Sequence, residues 1–315
     1  MSTSILYKMD FKDEITNAKP NISAGSLKTY NSLLRTIYKA VFKTVDKPDV
    51  KMFSKHSDDI LKFLEQKPYN VRKTYLAALV AVAPLEDYKK MMLENIREYQ
   101  QEQSKSELTT KLENSSISKE EIDELAEKLR HNAEVLYKKK THRVPDLMDI
   151  QNYIILSLYY GHIVPRRALD YVELLYQNYN PETDNYIDFK KNRFVFNRFK
   201  TATKMGKELK GQQVLDIPPA LMKILKKWVA LIPKEVDSLL FNSNLESLSN
   251  VTLNQRLNAL FGGAKSVNSL RHFYLTSKYS DLMRETEAMS KEMSDMGSSV
   301  AQAKVYIKIN DKEKE

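Results

Sequence analysis

The chain contains no cysteine, which removes disulfides, thiolate zinc sites and cysteine nucleophiles in one step and suits an intracellular compartment. Glycine and proline are sparse, seven and ten in 315 residues. That is too few for a turn-dense β fold, so helix should dominate. Long apolar runs are missing as well. The longest, "YLAALVAVAP" at 75–84, is about half the roughly 20 residues a spanning helix needs. It reads as a buried helix, and no membrane partner is expected. The opening "MSTSILYKMDFKDE" mixes acids with bases and lacks an apolar stretch ahead of a small-residue cleavage site, so no secretory leader is expected. No G-x-x-x-x-G-K-[ST] loop, no carboxylate cluster suited to two metals and no histidine pair at ligand spacing is found, so no cofactor is expected.

Positive charge is present in excess. A formal charge of +9 and a pI near 9.2 favour a polyanionic partner, because each cation laid on a phosphate releases condensed counterions, although a membrane surface would serve equally on charge alone. A hydrophobic content of 42% supplies cores for two ordinary domains.

Residues 24–45 place Leu27, Tyr30, Leu34, Ile37, Val41 and Val45 at spacings of three and four, an amphipathic helix with Ser26 as its expected cap. Its other face carries Lys28, Arg35 and Lys39. "SDDILKFLEQ" (57–66) and "YNVRKTYLAALVAVAP" (69–84), the latter with Arg72 and Lys73, repeat the pattern between Pro68 and Pro84. Together they predict a helical bundle over 1–105. The highly charged segment 106–143 reads as a helical linker, with Ser118 and Glu121 forming a capping box. The remainder, 144–315, opens with helices ("DLMDIQNYIILSLYYGH" and "PRRALDYVELLYQN"). Three β-prone runs, "NYIDF", "RFVFNRF" and "QQVLDIP", follow and predict a small antiparallel sheet. Helices resume from "PALMKILKKWVALI". The fold class is therefore mainly α with a small sheet, α+β.

Four stretches of this second half belong together. "GHIVPRRALDYVEL" sets two arginines after a proline at a helix start; "FVFNRFKTATK" puts Lys200 near a strand end; "SVNSLRHFYLTSKY" carries Arg271 with Asn268 one turn earlier; "SDMGSSVAQAKVYIK" leads to Tyr306. In order and in setting, this series resembles the catalytic layout of the tyrosine recombinase, or phage-type integrase, family over about 145 to 310. Arg167-Ala-Leu-Asp170 satisfies the R-x-x-[ED] pattern of the family's first arginine, whereas Arg166-Arg-Ala-Leu169 does not. Lys200-Thr201 matches its lysine, with Lys204 the nearest competitor. "NSLRH" matches H-x-L-R-H, with Asn268 in place of the first histidine, and Met296 or Gly297 falls where histidine or tryptophan is usual.

The resemblance implies a metal-independent enzyme that cleaves and rejoins double-stranded DNA through a 3′-phosphotyrosine. Arg167 and Arg271 would clamp the non-bridging oxygens with paired hydrogen bonds. Lys200 would protonate the departing 5′ hydroxyl. Tyr306, whose phenol ordinarily titrates near pH 10, would attack. Asn268 would orient groups, Asp170 would hold the clamp, and His272, water or the phosphate would take the phenol's proton. Tyr274 and Tyr279 are rival nucleophiles. DNA contacts are expected from Lys28, Arg35, Lys39, Arg72, Lys73, Arg166 and Lys204, with the two domains closing on duplex DNA and four copies assembling on two sites. A lysine- and asparagine-rich, cysteine-free chain suits an integrase of a virus or mobile element. The rivals are a type IB topoisomerase, which relaxes DNA as a monomer, and a catalytically inactive DNA-binding descendant.

Overall fold

The computed structural model describes residues 9–42, 48–104, 110–199 and 211–307, with backbone alone at 103, 104, 110–112, 304 and 306. The chain divides into two compact units, Met1–Glu107 and Leu108–Glu315.

The first unit is helical among its described residues: α1 (Lys12–Ala18), α2 (Ala24–Phe42), α3 (Lys51–Lys55), α4 (Ser57–Glu65), α5 (Tyr69–Val82) and α6 (Glu86–Ser104). The expected stripe of α2 turns inward, burying Leu34 and Ile37 with Tyr38 beside them, while Val45 lies outside the described residues. Ser23 rather than Ser26 caps this helix: its Oγ accepts from the Ser26 amide at 3.2 Å. Phe11, Phe53 and Tyr38 form an aromatic centre with ring centroids 5.3–5.9 Å apart. The buried Tyr88 hydroxyl donates to the Phe53 carbonyl at 2.6 Å, and Asn31 accepts from the Phe11 amide. Both polar groups tie the core together instead of weakening it.

The second unit runs α7 (Thr110–Ser115), α8 (Lys119–Leu136), α9 (Val144–Tyr159), α10 (Ala168–Val172), β1 (Leu174–Leu175), β2 (Asn185–Asp188), β3 (Arg193–Phe196), β4 (Gln213–Asp216), α11 (Pro219–Val229), α12 (Asn250–Phe261), α13 (Val267–Asp295) and α14 (Val300–Tyr306). The capping box at α8 forms as expected, Ser118 Oγ accepting from the Glu121 amide at 3.0 Å. The reading of this segment as a linker does not hold. Ile122, Leu125, Leu129 and Ala133 are buried on one side of α8, in the same core as α9. Their spacing of three or four was present in the charged sequence, and tertiary packing makes it a core face.

The sheet also departs from the expected antiparallel one. Its order is β1-β2-β3-β4, with β2–β3 and β3–β4 antiparallel but β1–β2 parallel. "PRRALDYVELLYQN" is helical only to Val172, and Leu174–Leu175 then enter the sheet. Leu174 is buried in the core and Leu175 half-buried, and β-pairing satisfies their backbone. Beneath the sheet, Phe194, Phe196 and Tyr171 contact one another. Gln151 closes the core from α9 by bonding both the amide and the carbonyl of Phe241, at 2.9 and 3.0 Å. Among the described residues no helix is long and apolar enough to cross a membrane.

Candidate active site

Arg166 and Arg167 lie between Pro165 and α10. Arg167 is the N-cap residue and has extended backbone angles, φ −70° and ψ 154°. Side chains of neighbouring residues in extended backbone point to opposite sides, so the two guanidiniums part company. Arg166 turns inward. Its Nε donates to Asp170 Oδ2 at 2.8 Å, and its guanidinium stacks over the Phe196 ring at 3.9 Å. These side chains are 14% and 4% exposed. Arg167 is half-buried and makes no side-chain hydrogen bond or ion pair with another described residue.

Asp170, expected to hold the clamp, makes its ion pair with Arg166. The expectation that Arg166 contacts DNA meets a guanidinium already committed to Asp170 and Phe196.

Arg271 arrives from a different element. Ser266 caps α13 in a capping box with Ser269, and Val267 and Leu270 anchor the first turn in the core. Arg271 follows, half-buried and without a side-chain hydrogen bond or ion pair to another described residue. Its charge reaches two groups beneath it. One is Asp170, whose carboxyl is pushed above the usual carboxylate range by burial while Arg166, Arg167 and Arg271 all pull it back. The other is Tyr159, whose fully buried phenol is raised by desolvation and lowered by Arg271. The charges of three guanidiniums from two separate stretches thus act on one buried carboxylate, which Arg166 alone contacts. Asp170 Oδ1 and the hydroxyls of Tyr159 and Tyr171 are buried without hydrogen-bond partners among the described residues, and the two phenol rings meet edge-on at 5.3 Å.

A second brace sits nearby. The Tyr160 hydroxyl donates to Asp123, and Lys119 Nζ reaches both, with Asp123 at 2.5 Å and the Tyr160 oxygen at 3.1 Å. The Tyr160 ring meets Phe273, two residues beyond Arg271, at 5.8 Å. These contacts tie α8, α9 and α13 together.

Asn268 and His272 are exposed on α13 beside Arg271. Gly297 has a backbone rather than a side-chain role. At φ +67° it follows Met296, the C-cap residue of α13. The Ser298 amide donates to the Met293 carbonyl at 2.7 Å and the Gly297 amide to the Ser294 carbonyl at 2.9 Å, a left-handed helix stop that glycine adopts without steric cost. The chain then reverses into α14, which packs against α13 with Met293 and Ala303 buried. Tyr306 is the last residue of α14, and its side chain lies outside the described ones. Lys200 and Lys204 lie outside the described residues.

The strand that leads toward Lys200 is held by a residue the sequence did not single out. Asn185, fully buried, accepts from the amides of Asn197 and Arg198 at 2.9 and 2.8 Å and donates to the Arg198 carbonyl. It also reaches the Asp170 carbonyl at 3.4 Å. Its signal in the sequence was an asparagine at the head of an otherwise β-prone run. Tyr159 and Phe196 were likewise unmarked.

In the first unit Lys28 and Lys39 are exposed on α2, with Arg35 half-buried between them. Arg72 donates twice to the Lys67 carbonyl, at 3.2 and 3.0 Å. Lys73 lies over the Tyr99 ring, and burial lowers its ammonium below the ordinary lysine value. Of the five cations expected on DNA in this unit, the three on α2 are the ones not tied to such partners.

No family model matches the chain, and no curated protein matches it. Among solved structures it is similar to XerA recombinase, at 13% identity over 96% of this chain and 94% of that one, with a TM-score of 0.35. It is also similar to XerH site-specific recombinase bound to difH substrate in a pre-cleavage complex, at 14% identity, 86% and 75% coverage and a TM-score of 0.43. The corresponding post-cleavage complex on palindromic difH gives 13%, 89% and 80%, and 0.40. Likenesses this loose assign neither a family nor an activity.

Proposed function

We propose that this protein is a DNA strand transferase of the tyrosine recombinase type. The observation that supports it most is the convergence of Arg167 and Arg271, from the start of α10 and the start of α13, on the buried Asp170, each without a protein partner of its own among the described residues. A half-buried guanidinium without a counter-ion is costly unless a ligand supplies one. Two of them together suit the paired non-bridging oxygens of a phosphodiester, whose charge rises in the transition state.

In this reading the Tyr306 oxygen attacks phosphorus, the phosphorus–O5′ bond breaks, and the departing 5′ oxygen takes its proton from Lys200. The 3′-phosphotyrosine so formed keeps the energy of the original bond, and attack by a 5′ hydroxyl reverses the step. Arg167 and Arg271 hold the phosphate, and Asp170, gripped by Arg166, holds the floor beneath them. Asn268 orients the phosphate or the nucleophile by hydrogen bonding. His272, water or the phosphate accepts the phenol's proton. More particularly, we read the chain as a site-specific integrase of a virus or mobile element, acting inside a cell as a tetramer on two duplex sites. Lys28, Arg35 and Lys39 on one face of α2 would contact the backbone.

The test is a suicide substrate, nicked so that cleavage traps the enzyme, incubated with wild type and Tyr306→Phe in EDTA. A denaturant-resistant adduct in the wild type alone is expected. Retarded DNA without an adduct across a broad set of sites would replace the reading with an inactive DNA-binding protein. Relaxation of a supercoiled plasmid by the monomer without synapsis would favour the topoisomerase.

A further inference from the structure

Beyond its first turns, α13 carries an apolar face that the second unit leaves exposed: Leu275, Tyr279, Leu282 and Met283 are 39–56% exposed. Leu275, Tyr279, Leu282, Thr286, Met289 and Met293 succeed one another at spacings of four and three without a break. That is the seam of a coiled coil, in which Leu275, Leu282 and Met289 take one core position and Tyr279, Thr286 and Met293 the other. Such a seam asks for a second helix. At its far end Met293 is buried where α14 packs against α13, so the open stretch runs from Leu275 to Met289, about 21 Å of helix.

We propose that this seam pairs with its own copy, antiparallel, about a two-fold axis at Arg284. The register follows from the sequence. Placing Leu282 opposite Thr286 of the second copy puts Tyr279 opposite Met289, so the open seam residues between Tyr279 and Met289 meet one another, while Leu275 falls beside the end of the seam that α14 covers at Met293. An antiparallel helix pair of one chain is self-complementary in this way, which closes the assembly at two. The charges along its edges agree. Lys278 falls beside Glu292 of the second copy, and this pair occurs twice. In the single chain the Lys278 ammonium already lies at the seam, 5.3 Å from the centre of the Tyr279 ring and 3.3 Å from the Tyr274 hydroxyl. On the axis, Met283 meets Met283 on one edge, adding apolar contact. Glu285 meets Glu285 on the other edge, where like charge opposes pairing. A seam this short associates weakly, so the dimer depends on concentration.

The experiment is sedimentation velocity of the full chain without DNA over a concentration series. Wild type should pass from monomer to dimer, Leu282→Lys should stay monomeric, and helical circular dichroism should be unchanged because position 282 is exposed. Lys278→Glu should weaken the dimer about fivefold or more, Lys278→Glu with Glu292→Lys should restore it, and Glu285→Gln should tighten it. The chain has no thiol of its own, so a short bismaleimide reports the register. Glu285→Cys should cross-link to itself, whereas Thr276→Cys, whose two copies lie about 21 Å apart, should not.

A wild type that is monomeric at every soluble concentration overturns the proposal. So does a dimer indifferent to Leu282→Lys, which would place the contact elsewhere. Cross-linking through position 276 would establish parallel strands and overturn the register.

Discussion

Asp170→Ala tests the floor of the candidate site most directly. The carboxylate is 4% exposed and its partner Arg166 14%. They meet at 2.8 Å, with the guanidinium over Phe196. Removing one member of a buried pair strands the other, which costs about 3–5 kcal/mol. The aspartate's own burial penalty, visible in its raised pKa, is relieved at the same time, so the lower end applies, about 3 kcal/mol. For a unit of this size each kcal/mol moves Tm by about 2–4 °C, so a fall of about 6–12 °C is expected.

The readout is specific to the second unit. The sole tryptophan, Trp228, is fully buried there, bonded to the Leu239 carbonyl at 2.9 Å and stacked on Phe241. Its fluorescence follows this unit's unfolding. Arg166→Ala should cost a similar amount, and the double variant little more than either single one, since the pair is lost only once. A shift below about 2 °C for Asp170→Ala, or full additivity in the double variant, would refute the reasoning. The pH dependence carries a sign. The folded protein keeps the Asp170 proton to a higher pH than the unfolded chain does, so this group's stabilisation is lost as pH rises from the ordinary carboxylate range through the raised value. Asp170→Asn should lack that slope.

Arg167→Ala should behave in the opposite way: stability within about 0.5 kcal/mol of wild type, with covalent adduct formation down about 100-fold or more, read on the suicide substrate. Equal stability losses for Arg166→Ala and Arg167→Ala would contradict their assigned orientations. Gly297→Ala places a side chain at φ +67° with open space around it, so its cost is conformational, about 1 kcal/mol; denaturant titration should show Gly297→Asn losing less. Burial raises the Tyr137 phenol to about 12, and its hydroxyl has no partner among the described residues. Tyr137→Phe should thus leave neutral-pH stability unchanged or higher. It should also remove a loss of stability that wild type shows as pH rises from about 10 toward 12, measured by urea unfolding across that range.

Local order was legible in the chain wherever periodicity and capping agreed. The inward stripe of α2, the Ser118–Glu121 capping box and the three β-prone runs all lie where residue spacing puts them. The segment 106–143 misled because its charge density outweighs four apolar residues, and only the presence of α9 turns those four into a core face. "ELLYQN" misled because helix and strand propensities are close for a short apolar run, and the neighbouring β2 decided between them.

The candidate site divides in the same way. Residue identities alone supplied the chemical inventory: two arginines far apart, a lysine after a β-prone run, a tyrosine at 306, and no thiol or nucleotide loop. The spacing Arg167-Ala-Leu-Asp170 singled out Arg167 as the clamp residue, and the partner of Asp170 emerged only from the packing, where it is Arg166. Arg166 is drawn inward by Phe196, a residue of β3 that no local pattern connects to it. Asp170 follows that guanidinium because a buried carboxylate needs the nearest buried cation. Arg167, the half-buried N-cap residue beside Arg166, makes no such ion pair with another described residue. Which of two neighbouring side chains goes inward depends on contacts between distant parts of the chain, and only the packed structure supplies them.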